Sequence, residues 1–336
     1  MPFDASAGWT VGVEEELMLV DEQTYDLVPA VSQVLADVSA STSPDPKPEL
    51  LASMVETTTG ICATPSEAVE RMRTERERLR ELAATHGLLV LAAGSHPFGI
   101  PEDQPITDDP NYIEFVRFAG PAARRQAVCG LHVHVGMPDG DTALRALDTV
   151  LPWLPVVLAL SANSPFFRGK ETGYLSTRAE VLLTLPRSGA PPELHSFAEW
   201  EALMQRWTIA GAIRRFTNAW WDARINPELG TLELRAPDQP TELDVAARFV
   251  DVLYDVAVRA ATGNLAASAR NHDYSTNRFA AARFGPRADL IWGDRRAPVA
   301  ELASELGVDA FECEADRQLP WRGNLRALCA DLAARS

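Results

Sequence analysis

Apolar and polar positions alternate in three short stretches of this chain, and each stretch places charged or imidazole side chains two residues apart. Successive side chains of a β-strand point to opposite faces, so residues two apart share a face. The pattern therefore predicts three strands that each carry a polar face. The three pairs are Glu14 and Glu16, His132 and His134, and Glu233 and Arg235.

Longer segments with a period near 3.6 residues predict helices between these strands. They cover residues 65–86, 111–125, 141–162, 196–212 and 242–265, and we expect the Ala- and Arg-rich segment 266–336 to be a helical tail. Further strands are expected within 49–60, 87–93 and 220–226. Strands that alternate with helices and are joined by turn signals predict an α+β fold with a mixed or antiparallel sheet. We expect residues 1–336 to form a single domain.

If the three polar strands share one sheet, three glutamates, two histidines and an arginine lie on the same face. Burying that many charges without partners would cost on the order of several kcal/mol for each ion. A divalent cation and a phosphate-bearing substrate would neutralise them, which favours an enzyme. The alternative is that these are edge strands with one solvated face, where such alternation is ordinary.

Composition narrows the classes of partner. The net charge of −16 and the pI near 4.8 argue against nucleic acid or an anionic membrane as the main partner. The apolar run around residues 150–160 contains two prolines and is too short to span a bilayer. The N-terminus shows no signal-peptide pattern, so we expect a cytoplasmic protein. Four scattered cysteines indicate neither a disulfide framework nor a zinc knuckle.

The charged residue types indicate phosphate chemistry. Only two lysines occur, so a clamp for phosphate or carboxylate is expected to use arginine, which binds such groups in a bidentate fork. Several carboxylates with one imidazole fit Mg²⁺ or Mn²⁺ better than zinc. Carboxylates combined with arginines suggest phosphoryl transfer, in which positioning and charge neutralisation supply most of the catalysis. The sequence contains no P-loop, no dinucleotide fingerprint and no nucleophile elbow.

Glu49 and Glu56 are further candidate metal ligands. Their odd separation would put them on opposite faces of one uninterrupted strand. Either a bulge lies between them, or Glu49 reaches the site from a loop. Glu15, between Glu14 and Glu16, is expected to point to the opposite face.

Eight motifs occur in order along residues 9–290. They are Gly12-Val-Glu-Glu-Glu-Leu17, Glu56-Thr-Thr-Thr-Gly-Ile-Cys62, Gly94-Ser-His-Pro-Phe98, Cys129-Gly-Leu-His-Val-His-Val-Gly136, Ser161-Ala-Asn-Ser-Pro-Phe166, Thr172-Gly-Tyr-Leu-Ser-Thr-Arg178, Trp220-Trp-Asp-Ala-Arg224 and Gly230-Thr-Leu-Glu-Leu-Arg235. The series resembles the carboxylate–amine ligases related to type 2 glutamate–cysteine ligases. The resemblance implies a fold like that of glutamine synthetase, with a curved, largely antiparallel sheet forming a funnel and helices packed outside.

The resemblance also implies a reaction. ATP would activate a carboxylate as an acyl phosphate, and an amine would then attack it with release of ADP and phosphate. In the best-known members the acid is the γ-carboxylate of glutamate and the amine is cysteine, so γ-glutamylcysteine is the product. Small-molecule acids and amines are thus the expected partners, and a homo-oligomer is compatible with the sequence.

By the same resemblance, individual residues receive roles. Mg²⁺ or Mn²⁺ would be held by Glu14, Glu16, Glu49, Glu56, His132 and Glu233. Arg235 would neutralise the transferring phosphate, and Arg178 would hold a phosphate or the acid substrate. Substrate or nucleotide would contact Arg125, His134, Asn163, Trp221 and Arg224.

Three alternatives stay open at this point. The same ligase chemistry could act on a different acid and amine, because the loops around 99–109 and 187–195 that would read the amine are not interpretable from one sequence. A metal-dependent amide hydrolase could use the pair His132 and His134. A metal-stabilised binding or scaffold protein would carry out no nucleotide turnover.

Overall fold

A seven-stranded antiparallel sheet forms the centre of the computed structural model, which describes residues 2–5, 8–38, 44–266, 271–308 and 312–336. The strands are β1 (Val11–Asp21), β2 (Lys47–Pro48), β3 (Met54–Thr58), β4 (Leu88–Leu91), β5 (Leu131–Gly136), β6 (Phe166–Phe167), β7 (Lys170–Glu171), β8 (Ala223–Asn226), β9 (Thr231–Leu234), β10 (Asp289–Trp292) and β11 (Arg295–Pro298). The helices are α1 (Val31–Ala36), α2 (Pro65–Ala84), α3 (Pro110–Ala119), α4 (Pro121–Arg124), α5 (Gly140–Val150), α6 (Leu154–Ser161), α7 (Thr177–Leu182), α8 (Phe197–Ile209), α9 (Leu243–Ala261), α10 (Tyr274–Phe284), α11 (Val299–Glu305), α12 (Glu314–Gln318) and α13 (Leu325–Arg335).

The three strands with polar faces are neighbours in this sheet. Its order is β2-β3-β1-β5-β9-β8, and β4 pairs with β1 beside β5. Every pairing is antiparallel, with Glu14 opposite His132 and His134 opposite Glu233. Directly opposite residues share a face, so the polar pairs of β1, β5 and β9 lie on one side of the sheet, as the alternation predicted.

The other side of the sheet is apolar and is covered by helices. Val11 and Val13 of β1 belong to one large hydrophobic cluster with residues of β5, β9, α5 and α9. The apolar segment Gly140–Ser161 runs through this cluster as α5, a 3₁₀ turn and α6. At 22 residues it is long and apolar enough to cross a membrane, contrary to the length prediction, but 83% of its most apolar window is buried inside the fold. Packing against the sheet accounts for its composition.

Glu15 points to this apolar side, as predicted, and is neutralised there by a buried arginine. Arg76 of α2 donates from Nε to Glu15 Oε2 at 3.2 Å and from Nη2 to Oε1. Gln239 Nε2 also donates to Glu15 Oε1, at 2.8 Å. The side chains of Arg76 and Glu15 are 0% and 1% exposed, so neither charge has water as an alternative partner.

The expectation of a helical tail over 266–336 is wrong in one part. Strands β10 and β11 form a hairpin whose two-residue turn is Gly293-Asp294. Gly293 has φ +66°, which a two-residue hairpin turn requires and glycine adopts without strain. Residues 267–270 and 309–311 of this segment lie outside the described residues.

We expect Glu15→Gln to lower the free energy of unfolding by about 3–5 kcal/mol, because Arg76 would keep a buried charge without a counter-ion. Urea unfolding followed by circular dichroism measures this change. Glu70→Gln on the exposed side of α2 is the control and should change stability by no more than about 0.5 kcal/mol. Equal stability of the two variants would contradict the assigned role of the pair.

Candidate active site

A cavity of about 950 Å³ lies over the polar side of the sheet. Its floor is formed by strand residues and its roof by α3 and the segment 211–220. The ionisable residues that line it are Glu14, Glu16, Lys47, Glu49, Glu56, Asp109, Glu114, Arg117, His132, Arg178, Arg214, Arg215, Arg224 and Arg235. A concave site with this many opposed charges is suited to a ligand that carries both phosphate and metal.

Glu14 lies between two buried imidazoles. Its Oε2 is 3.5 Å from His132 Nδ1 and 3.5 Å from His134 Nε2. Burial alone would raise the pKa of Glu14, but His134 and His132 outweigh it and hold that pKa well below its ordinary value. Both ring nitrogens of His132, and Nε2 of His134, are buried without a hydrogen-bond partner in the described part of the chain. Such orphaned nitrogens fit the ligand set of a metal ion.

A second group of carboxylates lies at the β2–β3 edge. β2 and β3 form a hairpin in which Glu49 follows β2 and its N–H donates to the Met54 carbonyl at 3.2 Å. Glu49 and Glu56 therefore share a face across two strands, so the odd separation that counts against them in a single strand does not apply. Glu56 lies opposite Glu16 of β1, which brings the three carboxylates together.

Two carboxylates of this second group, Glu49 and Glu56, have raised pKa values. Burial and the charge of Glu16 raise the pKa of Glu49 to about 7. Burial, followed by the charges of Glu14 and Glu49, raises the pKa of Glu56 well above its ordinary value. Lys47, 3.9 Å from Glu56, is 62% exposed and compensates only weakly. A divalent cation would remove this repulsion.

Arginines surround the carboxylate of Glu233. Arg224 donates from Nε to Glu233 Oε2 at 2.9 Å and from Nη2 to Oε1 at 3.1 Å, and Arg235 Nη1 also donates to Oε1. Burial would raise the pKa of Glu233, but the two arginines outweigh it and lower that pKa strongly. One oxygen from each of Glu14 and Glu233 and one nitrogen of His134 lie within 4.8 Å of one another, so these three residues could hold a metal ion.

Arg178 enters the cavity from α7 and is held by the backbone. It donates to the carbonyls of Ala236 and Arg235 at 3.2 and 3.0 Å, and its Nη1 is 3.8 Å from buried Asp238. A Cβ at Gly130 would collide with the Arg178 guanidinium, so the glycine of the histidine motif provides the space for this arginine. Burial lowers the pKa of Arg178, although Asp238 opposes the effect.

The structure therefore brings together most of the predicted residues. Those that line the cavity are Glu14, Glu16, Glu49, Glu56, His132, Arg178, Arg224 and Arg235. His134 and Glu233 lie immediately beneath this surface, in contact with Glu14 and with Arg224 and Arg235.

Three predicted contact residues do not line this cavity. Asn163 is fully buried and donates through Nδ2 to the Gln239 carbonyl at 2.7 Å, so it joins the end of α6 to the segment after β9. Trp221 packs in the apolar core. Arg125 is exposed, with its Nε 3.4 Å from Glu102. Their assignment to substrate or nucleotide stays a prediction that the lining of this cavity does not support.

Trp220, rather than Trp221, faces the cavity. Arg224 also faces the cavity, and the alternation of side chains along an extended segment could have indicated Trp220, four residues earlier. Phe115 and Tyr112 of α3 are also lining residues that sequence analysis missed. They stand in a helix whose described side chains include none that is fully buried, and no motif marks it.

Comparison with known proteins agrees with this geometry. A relative from Rubrobacter xylanophilus, named "Putative glutamate--cysteine ligase 2-3", is 39% identical over 316 residues, covering 90% of this chain and 84% of its own. A Herpetosiphon aurantiacus relative, named "Putative glutamate--cysteine ligase 2", is 34% identical over 89% of this chain and 79% of its own. The protein is a ligase of the glutamate–cysteine ligase type. Residues 10–322 match glutamate–cysteine ligase family 2 (GCS2), and the chain belongs to this family.

Solved structures show the same fold. Glutamate–cysteine ligase from Francisella tularensis in complex with AMP superposes with a TM-score of 0.69 at 12% identity, covering 97% of this chain and 89% of that one. A bifunctional glutathione synthetase from Pasteurella multocida gives 0.66 at 13% identity, covering 97% of this chain and 49% of that one. The predicted α+β fold class with a largely antiparallel sheet is thus confirmed.

We expect divalent cations to stabilise the protein more at pH 8 than at pH 6. The pKa of about 7 means that Glu49 binds a proton more readily in the folded than in the unfolded state, so its contribution to metal-free stability falls as pH rises towards that value. A metal ion needs the carboxylate form and reverses this loss. Melting temperatures with and without millimolar Mn²⁺ at both pH values measure the effect.

Glu49→Gln should reduce the Mn²⁺-induced rise in melting temperature at pH 8, whereas Glu70→Gln should preserve it. A rise of the same size at pH 6 and pH 8 in the unaltered protein would contradict the involvement of this carboxylate group.

Proposed function

We propose that this protein is an ATP-dependent carboxylate–amine ligase that works through an acyl phosphate and uses Mg²⁺ or Mn²⁺. The observation that carries the proposal is one cavity lined by several carboxylates, by one imidazole and by three converging arginines, with a second imidazole immediately beneath, in a chain of this ligase family. Nitrogens of both imidazoles are buried without a hydrogen-bond partner among the described residues. The AMP in the Francisella ligase supports an adenine nucleotide as the energy source.

Two groups of residues would hold the metal ions. Glu14, His134 and Glu233 form one, with His132 adjacent, and the three carboxylates Glu16, Glu49 and Glu56 form the other. Bound there, the ions would neutralise the phosphate oxygens of ATP and of the acyl phosphate. Oxygen ligands in excess of imidazole favour Mg²⁺ or Mn²⁺.

The arginines act on the transferring phosphate. Arg235 and Arg178 project from the end of β9 and from α7, and the Arg178 Nη2 donates to the Arg235 carbonyl at 3.0 Å. Charge on the equatorial oxygens of the transferring phosphate is stabilised by donors that are already in position. Arg224 keeps Glu233 ionised and oriented, and thereby keeps Arg235 in place.

The names of the relatives supply glutamate and cysteine as the first substrates to test. ADP release from ATP and Mg²⁺ should depend on an acid and an amine, and the matching amide should accumulate in equal amount. Dependence on another acid–amine pair would preserve the mechanism and change the substrates. Confirmed metal binding without ADP release across a broad panel would contradict the proposal.

A metal-dependent hydrolase is disfavoured by the same geometry. The pair His132 and His134 contacts carboxylates rather than further imidazoles, and the remaining described histidines do not line the cavity. Zinc hydrolases use a site richer in nitrogen ligands.

We expect Arg235→Lys to lower kcat by roughly 10²–10³-fold, because lysine cannot donate to Glu233 and to phosphate oxygens from one planar fork. Initial rates of ADP release at saturating substrates measure this loss. Arg206→Lys on the exposed side of α8 is the matched control and should retain full activity. If Arg235→Lys turns over as fast as the control, Arg235 has no role at the phosphate.

A further inference from the structure

An apolar wall adjoins the arginine end of the cavity. It comprises Phe115, Phe118, Leu182, Leu185, Ile213 and Trp220, which come from α3, from the end of α7 and from the segments on either side of α8. The rings of Phe115 and Trp220 lie 5.0 Å apart. Phe118 is 52% exposed, which leaves a large aromatic surface open to the cavity side of α3. Phosphate chemistry makes no use of this wall.

Arg187 holds the wall in place from behind. Its guanidinium carbon lies 5.6 Å from the ring centre of Phe118 and 5.8 Å from those of Trp207 and Trp220. Its Nε donates to the Asn218 carbonyl at 3.3 Å. One cation thus ties together the helix α3, the helix α8 and the segment before β8. The wall is therefore organised before any ligand binds.

We propose that this wall binds the side chain of the amine substrate, and that this substrate is an α-amino acid with a bulky aliphatic or aromatic side chain. The inference rests on the proposed ligase function and specifies its amine. Four side chains of the wall, those of Phe115, Phe118, Leu182 and Trp220, keep exposed surface, whereas Leu185 and Ile213 are buried behind them. Cysteine would cover little of that exposed apolar surface, whereas a side chain such as that of leucine or phenylalanine would exclude water from it.

The distance along α7 favours the amine over the adenine ring as the occupant. Leu182 lies four residues after Arg178 on the same face of α7, so the two are separated by about 6 Å along the helix. The amine must contact the carbonyl carbon whose phosphate Arg178 and Arg235 hold. The adenine of ATP is separated from its γ-phosphate by two further phosphates and a ribose. It would therefore lie well beyond Leu182, the wall residue next to Arg178.

Arginines beside the wall suit the carboxylate of an amino acid. Arg117 lines the cavity on α3 between the two phenylalanines, and it makes no ion pair or hydrogen bond with the described residues. Arg214 and Arg215 also line the cavity but are paired with Glu114 and Glu228. A bidentate contact from Arg117 would orient the amine substrate through its carboxylate.

A panel of amines tests the inference and the ligase proposal separately. With ATP, Mg²⁺ and glutamate, we expect kcat/KM for leucine or phenylalanine to exceed that for cysteine and serine by roughly 10-fold or more. A preference for cysteine or serine in an active enzyme would overturn the inference and leave the ligase function intact. No turnover with any amine would instead count against the ligase function. Calorimetric titration with L-phenylalanine and L-serine then decides the inference, and equal or absent binding overturns it.

Variants of the wall test its occupant. Phe118→Ala and Trp220→Ala should raise KM for the bulky amine by roughly 10-fold or more and change KM for ATP by less than about twofold. Half-exposed Phe118 can be truncated without opening the core, and Trp321→Ala, at an exposed tryptophan outside the cavity, is the aromatic control. A rise in KM for ATP would assign the wall to adenine and overturn the inference. Equal losses for cysteine and phenylalanine would overturn it as well.

Discussion

The register of β1 against its two neighbours is the constraint on which the whole site depends. Glu14 stands opposite His132 on one side, and Glu16 stands opposite Glu56 on the other. A slip of one residue would turn Glu15 into the cavity and both of its neighbours into the apolar core. The pairing of Glu15 with buried Arg76 makes that slip unfavourable, because the arginine would lose its counter-ion. A charge on the core side thus helps to define which charges face the cavity.

Buried charges are compensated differently at the two ends of the polar face. At the β8–β9 edge, arginines from the chain itself neutralise Glu233 and depress its pKa. At the β2–β3 edge, the lysine beside Glu56 is largely exposed, and burial and neighbouring carboxylates raise the pKa values of Glu49 and Glu56. The arginine-rich edge suits an anion such as phosphate and the carboxylate-rich edge suits a cation, with the candidate metal group of Glu14, His134 and Glu233 between them. Phosphoryl transfer needs both within one cavity.

Sequence analysis predicted those parts that follow from local alternation. The faces of Glu14, Glu15 and Glu16 required only the two-residue period of a strand, and the structure agrees. The face on which Glu49 lies could not be predicted in this way, because it depends on the hairpin of β2 and β3 rather than on the period of a single strand. A motif indicates that a residue matters without indicating whether it contacts a ligand or the core. Trp221 packs in the apolar core and Asn163 donates to the Gln239 carbonyl, neither of which the motifs could have told. The β10–β11 turn carried a readable Gly-Asp signal within an otherwise helical composition.

The roof of the cavity could not be predicted, because it is made by tertiary contacts between segments distant in sequence. α3 reaches the β2 edge through Tyr112, whose hydroxyl donates to the Pro48 carbonyl at 2.9 Å, and the opposite wall through Phe115 and Trp220. No side chain of α3 is fully buried, and the helix is held by partly buried contacts, among them the pair of Glu114 with Arg214 and the contact of Phe118 with Arg187. The floor of the site is built from paired strands and carries the candidate metal ligands. The roof is built from loops and one weakly buried helix, and substrate choice can change there without disturbing the register of the sheet.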